Sequence, residues 1–205
     1  HRPSLNPLLV GCRQWLQASY EQLLPRCHEP LADPSQLEIL DEPLAEAIAP
    51  GSISAAAGAA SFTWLTRATE AVLDGRAQAL VTAPIAKTAW HQAGHHYPGQ
   101  TERLAELCGC EDAAMLFTAR SPQSGWRFNT LLATTHIPLS SVPAALTPER
   151  LERRLGQLED FCRRFRQRPR LRVAGLNPHA GEAGQLGTEE QRWITACLQA
   201  YQQRH

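Results

Sequence analysis

Residues 171–190 read LRVAGLNPHAGEAGQLGTEE. An apolar run, 171–176, leads into a loop, and the stretch 175–190 holds four glycines and one histidine, His179. Thr188 and Gln191 then form a capping-box pattern that opens a helix. A plain turn needs one or two residues at positive φ, so this loop has more backbone freedom than reversal alone requires. Strand, polar loop and helix in that order describe one α/β unit.

The same order recurs upstream. Residues 79–82 (ALVT) read as a buried-type strand, followed by a helix from Lys87 and another over 102–108. Residues 113–118 and 130–135 are further strand candidates on either side of a turn at 121–125, and 37–40 is a brief one. A helix over 14–24 carries Trp15, Leu16, Tyr20, Leu23 and Leu24 at helical spacing, after the apolar run 7–11. A longer helix over 55–73 aligns Phe62, Leu65, Ala68 and Val72 and stops at Asp74-Gly75. Thr147-Pro148 opens a helix with Leu151, Leu155, Leu158, Phe161, Cys162 and Phe165 on one face. Strands alternating with helices predict an α/β sandwich with a substantially parallel sheet, and the absence of a linker predicts one α/β segment over 1–205.

Composition narrows the class. Apolar residues make up 43% of 205, which is globular, and 20 basic residues balance 20 acidic ones, which gives no reason to expect nucleic acid or an anionic membrane as partner. The basic stretch 163–172 reads as the solvated C-terminal end of a helix. No apolar run has the length of a membrane span, and no signal peptide is visible. The six cysteines follow no repeating frame, and Cys108-Gly-Cys110 fits neither CxxC redox chemistry nor a zinc knuckle. The expectation is a cytoplasmic chain with reduced thiols.

Ligands of open α/β sheets gather at the carboxyl ends of strands, and three segments occupy such positions. Lys87 follows VTAPIA at a helix start, where a cation gains nothing from the dipole; it reads as a surface lysine or as an anion contact. Gly99-Gln100-Thr101 precedes a helix, where Thr101 is either a cap or part of a phosphate site. His136 follows TLLATT and His179 follows RVAGLNP, so both imidazoles are expected at strand exits on one edge, able to bind a divalent ion or to serve as structural residues. There is no HExxH, P-loop, GxSxG or GxGxxG pattern.

The blocks LVTAPIAKTAWHQAG (80–94), YPGQTERLAEL (97–107), LLATTHIPL (131–139) and GLNPHAGEAGQLGTEE (175–190) together resemble the 4-hydroxythreonine-4-phosphate dehydrogenase family of pyridoxal phosphate biosynthesis in order and spacing. The resemblance runs through most of residues 8–200. It implies a three-layer α/β/α sandwich of the isocitrate/isopropylmalate dehydrogenase type, a homodimer, NAD or NADP as oxidant, and a divalent metal (Zn, Mg or Co) held by three histidines. Two of these map onto His136 and His179, and the substrate-binding pair maps onto Gln100 and Thr101. The family has His where this chain has Gln100, which donates a hydrogen bond but carries no charge. The family's first strand and its last segment, with the third metal histidine, have no counterpart here, so the chain is expected to be the middle of the enzyme. A sister dehydrogenase of another phosphorylated four-carbon hydroxy acid, or an inactive fragment acting as a dimerisation module, are the competing expectations.

Overall fold

The computed structural model describes residues 6–166 and 168–205. Contacts divide the chain after Ala113 into two units. In the first, β1 (Leu8–Gly11) and β2 (Glu38–Asp41) pair in parallel, Leu8 opposite Glu38 and Gly11 opposite Asp41. A parallel pair needs a crossover, which α1 (Arg13–Leu23) supplies. The Cys12 thiol accepts from Trp15 N to cap α1, and Arg13 N donates to Asp41 Oδ1 at 2.8 Å, tying the helix start to β2.

The long helix α2 (Ala55–Leu73) begins at Ser54, whose Oγ accepts from Ala57 N at 3.1 Å. It ends at Asp74, and Gly75 follows at φ +77°. Its inner face meets α3 (Lys87–Gln92) at a close backbone approach: a Cβ on Gly58 would overlap the Ala89 carbonyl. That approach buries Trp90 completely, with Nε1 donating to Ser61 Oγ at 2.9 Å and Phe62 edge-on at 5.2 Å. After a loop, α4 (Gln100–Leu107) completes the unit.

The second unit opens with an antiparallel hairpin, β3 (Leu116–Arg120) and β4 (Arg127–Leu131), with Leu116 opposite Leu131. A short helix, α5 (Val142–Ala145), precedes α6 (Pro148–Arg163), whose cap is Thr147, as its sequence predicts. One π-helical turn, Glu190–Ile194, runs into α7 (Thr195–Arg204). Leu151 and Leu155 of α6 pack on Ile194 and Cys197, with Leu171, Leu176 and Tyr201 at the edge. Tyr201 donates to Glu159 Oε2 at 2.6 Å, which with Arg163 holds that carboxyl below its usual range.

The chain is α/β, but several expectations change in detail. Residues 79–82 and 171–176 form no strand among the described residues, and Val81 is 94% exposed. Apolar content makes a segment fit to be a strand; only a neighbouring ladder makes it one. The described strands form a parallel pair and an antiparallel hairpin rather than one parallel sheet. Phe165 lies beyond the end of α6, 58% exposed, resting on Phe161 and under the Arg127 guanidinium. All six cysteines are free thiols.

Gly58→Ala drives a methyl into the Ala89 carbonyl and is expected to cost about 1–3 kcal/mol. Ala59→Ser, one residue along on the exposed face, should stay within ~0.5 kcal/mol. Urea midpoints at constant slope measure both.

Candidate functional site

In the first unit, a candidate anion corner lies where the starts of α3 and α4 approach each other. Gly99 caps α4 through an extended backbone, and no side chain takes the cap hydrogen bond. The first-turn N–H groups of α4 are therefore open to an anion. Lys87, the first residue of α3, brings its Nζ to 4.0 Å from where a Cβ on Gly99 would lie. A dipole-disfavoured lysine thus stands beside the neighbouring helix end that favours negative charge. Gln100 Nε2 donates to Ala83 O at 2.8 Å, which ties α4 to the VTAPIAK loop. Thr101 sits inside α4's first turn rather than serving as its cap. Glu102 also reaches back, its Oε2 3.3 Å from the same Gly99 position, so an arriving phosphate competes with a resident carboxylate. Behind the corner, Arg103 lies over Phe62 at 4.7 Å and pairs with Glu106 at 3.0 Å.

In the second unit, both candidate metal histidines occupy left-handed backbone, His136 at φ +54° and His179 at φ +50°. His136 lies five residues beyond β4, and His179 follows a segment without ladder pairing, so neither stands at a strand exit among the described residues. His179 begins a run of six residues with positive φ, His179 to Gly184, of which only Gly181 and Gly184 lack a Cβ. Left-handed backbone costs a residue with a Cβ roughly 1–2 kcal/mol, so the run persists only if something overdetermines it.

Asn177 and Glu190 provide that determination. Glu190 is buried; its Oε1 accepts from Asn177 N and its Oε2 from Asn177 Nδ2, both at 2.8 Å, while Nδ2 also donates to Glu189 at 2.7 Å. The hydrogen bond from the Asn177 backbone N–H, then that from its side chain, holds the Glu190 carboxyl below the usual carboxylate range. A Cβ on Gly187, at φ +142°, would overlap the Asn177 amide, so glycine is required where the clasp closes. His179 itself is 77% exposed at the side chain, and its Nδ1 lies 2.8 Å from Glu182 Oε2. Facing a carboxylate, Nδ1 is the donor, so in the neutral ring Nε2 keeps the lone pair. Metal-binding histidines are commonly oriented by such a carboxylate.

The donor chemistry of His136 and His179 fits a borderline divalent ion, but two imidazoles do not complete one. Among the described residues no group of three or more His, Cys, Asp or Glu side chains stands ready to hold a metal. The turn between β1 and α1 carries only Gly11, and the Cys12 thiol occupies the helix start, so this turn is not a glycine-rich dinucleotide cradle. Among the described residues no helix is long and apolar enough to cross a membrane. Sequence reasoning singles out Lys87, Gln100, Thr101, His136 and His179 as candidates. It misses Asn177, Glu182 and Glu190, whose only signal is the Asn-Pro opening of the loop and two acids after its last glycine.

The sequence matches the family described as pyridoxal phosphate biosynthetic protein PdxA over residues 4–205. A Synechococcus sp. (strain RCC307) protein named 4-hydroxythreonine-4-phosphate dehydrogenase is 98% identical over 205 residues, all of this chain and 62% of that protein. A D-threonate 4-phosphate dehydrogenase of Salmonella typhimurium is 41% identical over 169 residues, 80% of this chain and 50% of that protein. The crystal structure of a Klebsiella pneumoniae 4-hydroxythreonine-4-phosphate dehydrogenase superposes with a TM-score of 0.81 at 35% identity, covering 96% of this chain and 61% of that one. The chain therefore spans about three fifths of the length of relatives that it matches throughout.

Because folding depresses the Glu190 pKa, its contribution is fully present above the ordinary carboxylate value of about 4.3 and is lost as pH falls below it. Glu190→Gln is expected to lower stability at neutral pH and to flatten the acid limb below about pH 4.3. Urea unfolding across pH checks the sign.

Proposed function

The chain belongs to the pyridoxal phosphate biosynthetic protein PdxA family, and on that premise we propose that it is the central part of a metal-requiring, NAD-dependent dehydrogenase. The reaction is oxidation of 4-phosphohydroxy-L-threonine with loss of carbon dioxide, giving 3-amino-2-oxopropyl phosphate. Near-identity to the Synechococcus protein over the whole chain carries this reading. The working enzyme is read as a cytoplasmic homodimer.

Each group has a role that its surroundings support. Lys87, the Thr101 hydroxyl and the open N–H groups of α4 hold the substrate phosphate. Gln100, tethered to Ala83, sets the position of that helix end. Binding the remote phosphate orients the reacting carbon, so interaction far from the chemistry lowers its barrier. His136 and His179 are two ligands of the divalent ion, with Glu182, as acceptor from Nδ1, leaving the lone pair on His179 Nε2. A bound ion supplies electrostatic stabilisation of negative charge developing on the substrate's secondary hydroxyl. No residue is assigned to NAD.

A second reading, oxidation of D-threonate 4-phosphate, rests on the likeness to the Salmonella enzyme. Both substrates present a phosphate and a secondary hydroxyl, so the corner at α4 serves either. A third, an inactive segment that only dimerises, rests on the incomplete metal and dinucleotide sites.

Assaying NADH formation from each substrate with zinc, magnesium or cobalt separates the three. Faster turnover of the amino acid phosphate supports the first reading, faster turnover of the threonate the second, and none with either the third. His136→Ala and His179→Ala should each weaken zinc binding by at least ~10-fold, the loss known even for outer-shell partners. If the double variant binds as many zinc ions as the parent, equally tightly, the ligand assignment is wrong.

A further inference from the structure

A pair of histidines in the first unit, with no part in the reading above, has its ring centres spaced like a ligand pair. His91 lies in the last turn of α3, and His96 lies in the loop that carries the chain to Gly99. Both are exposed, and their ring centres are 5.5 Å apart with the planes at 46°. Two imidazoles on one tetrahedral zinc, at Zn–N distances of roughly 2.0–2.1 Å, hold their ring centres about 5 Å apart. The observed separation of 5.5 Å is close to that spacing.

A second observation concerns the lone pair. His91 Nε2 lies 3.3 Å from Tyr97 O. A carbonyl oxygen only accepts, so Nε2 carries the proton and Nδ1 is left as an acceptor. Donation from the far ring nitrogen to a backbone carbonyl is the arrangement that orients ligating imidazoles and makes them better donors. The neighbouring His95 is not part of the set: its ring is stacked on Phe62 at 3.6 Å, and burial lowers its pKa.

We propose that His91 and His96 form a separate, water-completed site for a borderline divalent ion such as zinc, nickel or copper, which clips the loop between α3 and α4. Imidazole nitrogen suits these ions, whereas magnesium and calcium call for oxygen ligands. With no third side chain in place among the described residues, water fills the remaining positions and the ion exchanges readily. The clip ties the end of α3 to the five residues that follow it. Those residues deliver Gly99, the cap of α4, so occupancy restricts the loop that sets the anion corner.

The test is zinc titration by calorimetry on the whole chain, with hydrogen exchange of residues 93–99. Removing a ligand of a two-imidazole site should weaken it at least ~10-fold. His91→Gln and His96→Gln should each remove one zinc equivalent, leave helix content unchanged, and abolish zinc-induced slowing of exchange in the loop. His28→Gln, an exposed lone histidine, should change nothing. His136→Ala with His179→Ala should leave this equivalent and its exchange signature intact, so failure of the catalytic-metal reading is seen separately. The proposal is overturned if the His91 and His96 variants bind zinc like the parent, or if zinc leaves exchange over 93–99 unaltered in the parent.

Discussion

A single buried carboxylate organises the most unusual backbone in this protein. Glu190 accepts both the backbone and the side-chain N–H of Asn177, thirteen residues earlier, and so closes the ends of the loop that carries His179. Four of the six residues in that left-handed run have a Cβ, and on local preference alone the segment would relax to right-handed turns. The clasp is what makes the alternative more costly. It also explains the π-helical turn at 190–194: the helix must start where the Glu190 side chain can reach back, and one widened turn absorbs the adjustment.

The anion corner in the first unit is positioned by a different means. No charged clasp holds it; backbone contact does. Because Gly58 lets α2 touch α3, Trp90 sinks fully into the core, and α3 is fixed with Lys87 at its outer end. Arg103, over Phe62 and beside Glu106, fixes α4 against the same aromatic cluster. The lysine and the helix end meet because each is anchored from behind by packing, while their tips stay in water. Such an arrangement can take up and release a charged ligand without disturbing the core.

In each unit a neighbour selects a histidine tautomer. The Glu182 carboxylate accepts from His179 Nδ1, and the Tyr97 carbonyl accepts from His91 Nε2. Each leaves the opposite nitrogen with its lone pair. The choice of tautomer is decided by the neighbour rather than by the imidazole, which is why a histidine's role cannot be read from its presence.

Much of this was legible in the residues alone. The α/β class, the helices at 55–73 and 147–163, the Thr147 cap, the Asp74-Gly75 stop and the turn between β3 and β4 all follow from period, capping and turn chemistry, which act within a few residues. The family blocks likewise singled out Gln100, Thr101, His136 and His179. What lay beyond the sequence were features that depend on partners distant in the chain. Residues 79–82 and 171–176 have strand composition but no ladder, because pairing belongs to two segments and composition to one. Thr101 reads as a cap or as part of a phosphate site until Gly99 is seen to cap the helix. Asn177 and Glu190 look like ordinary loop and helix polar residues until the fold brings them together. Local chemistry is written in neighbouring residues, whereas a clasp, a close approach or a shared lone pair exists only once the chain has folded back on itself.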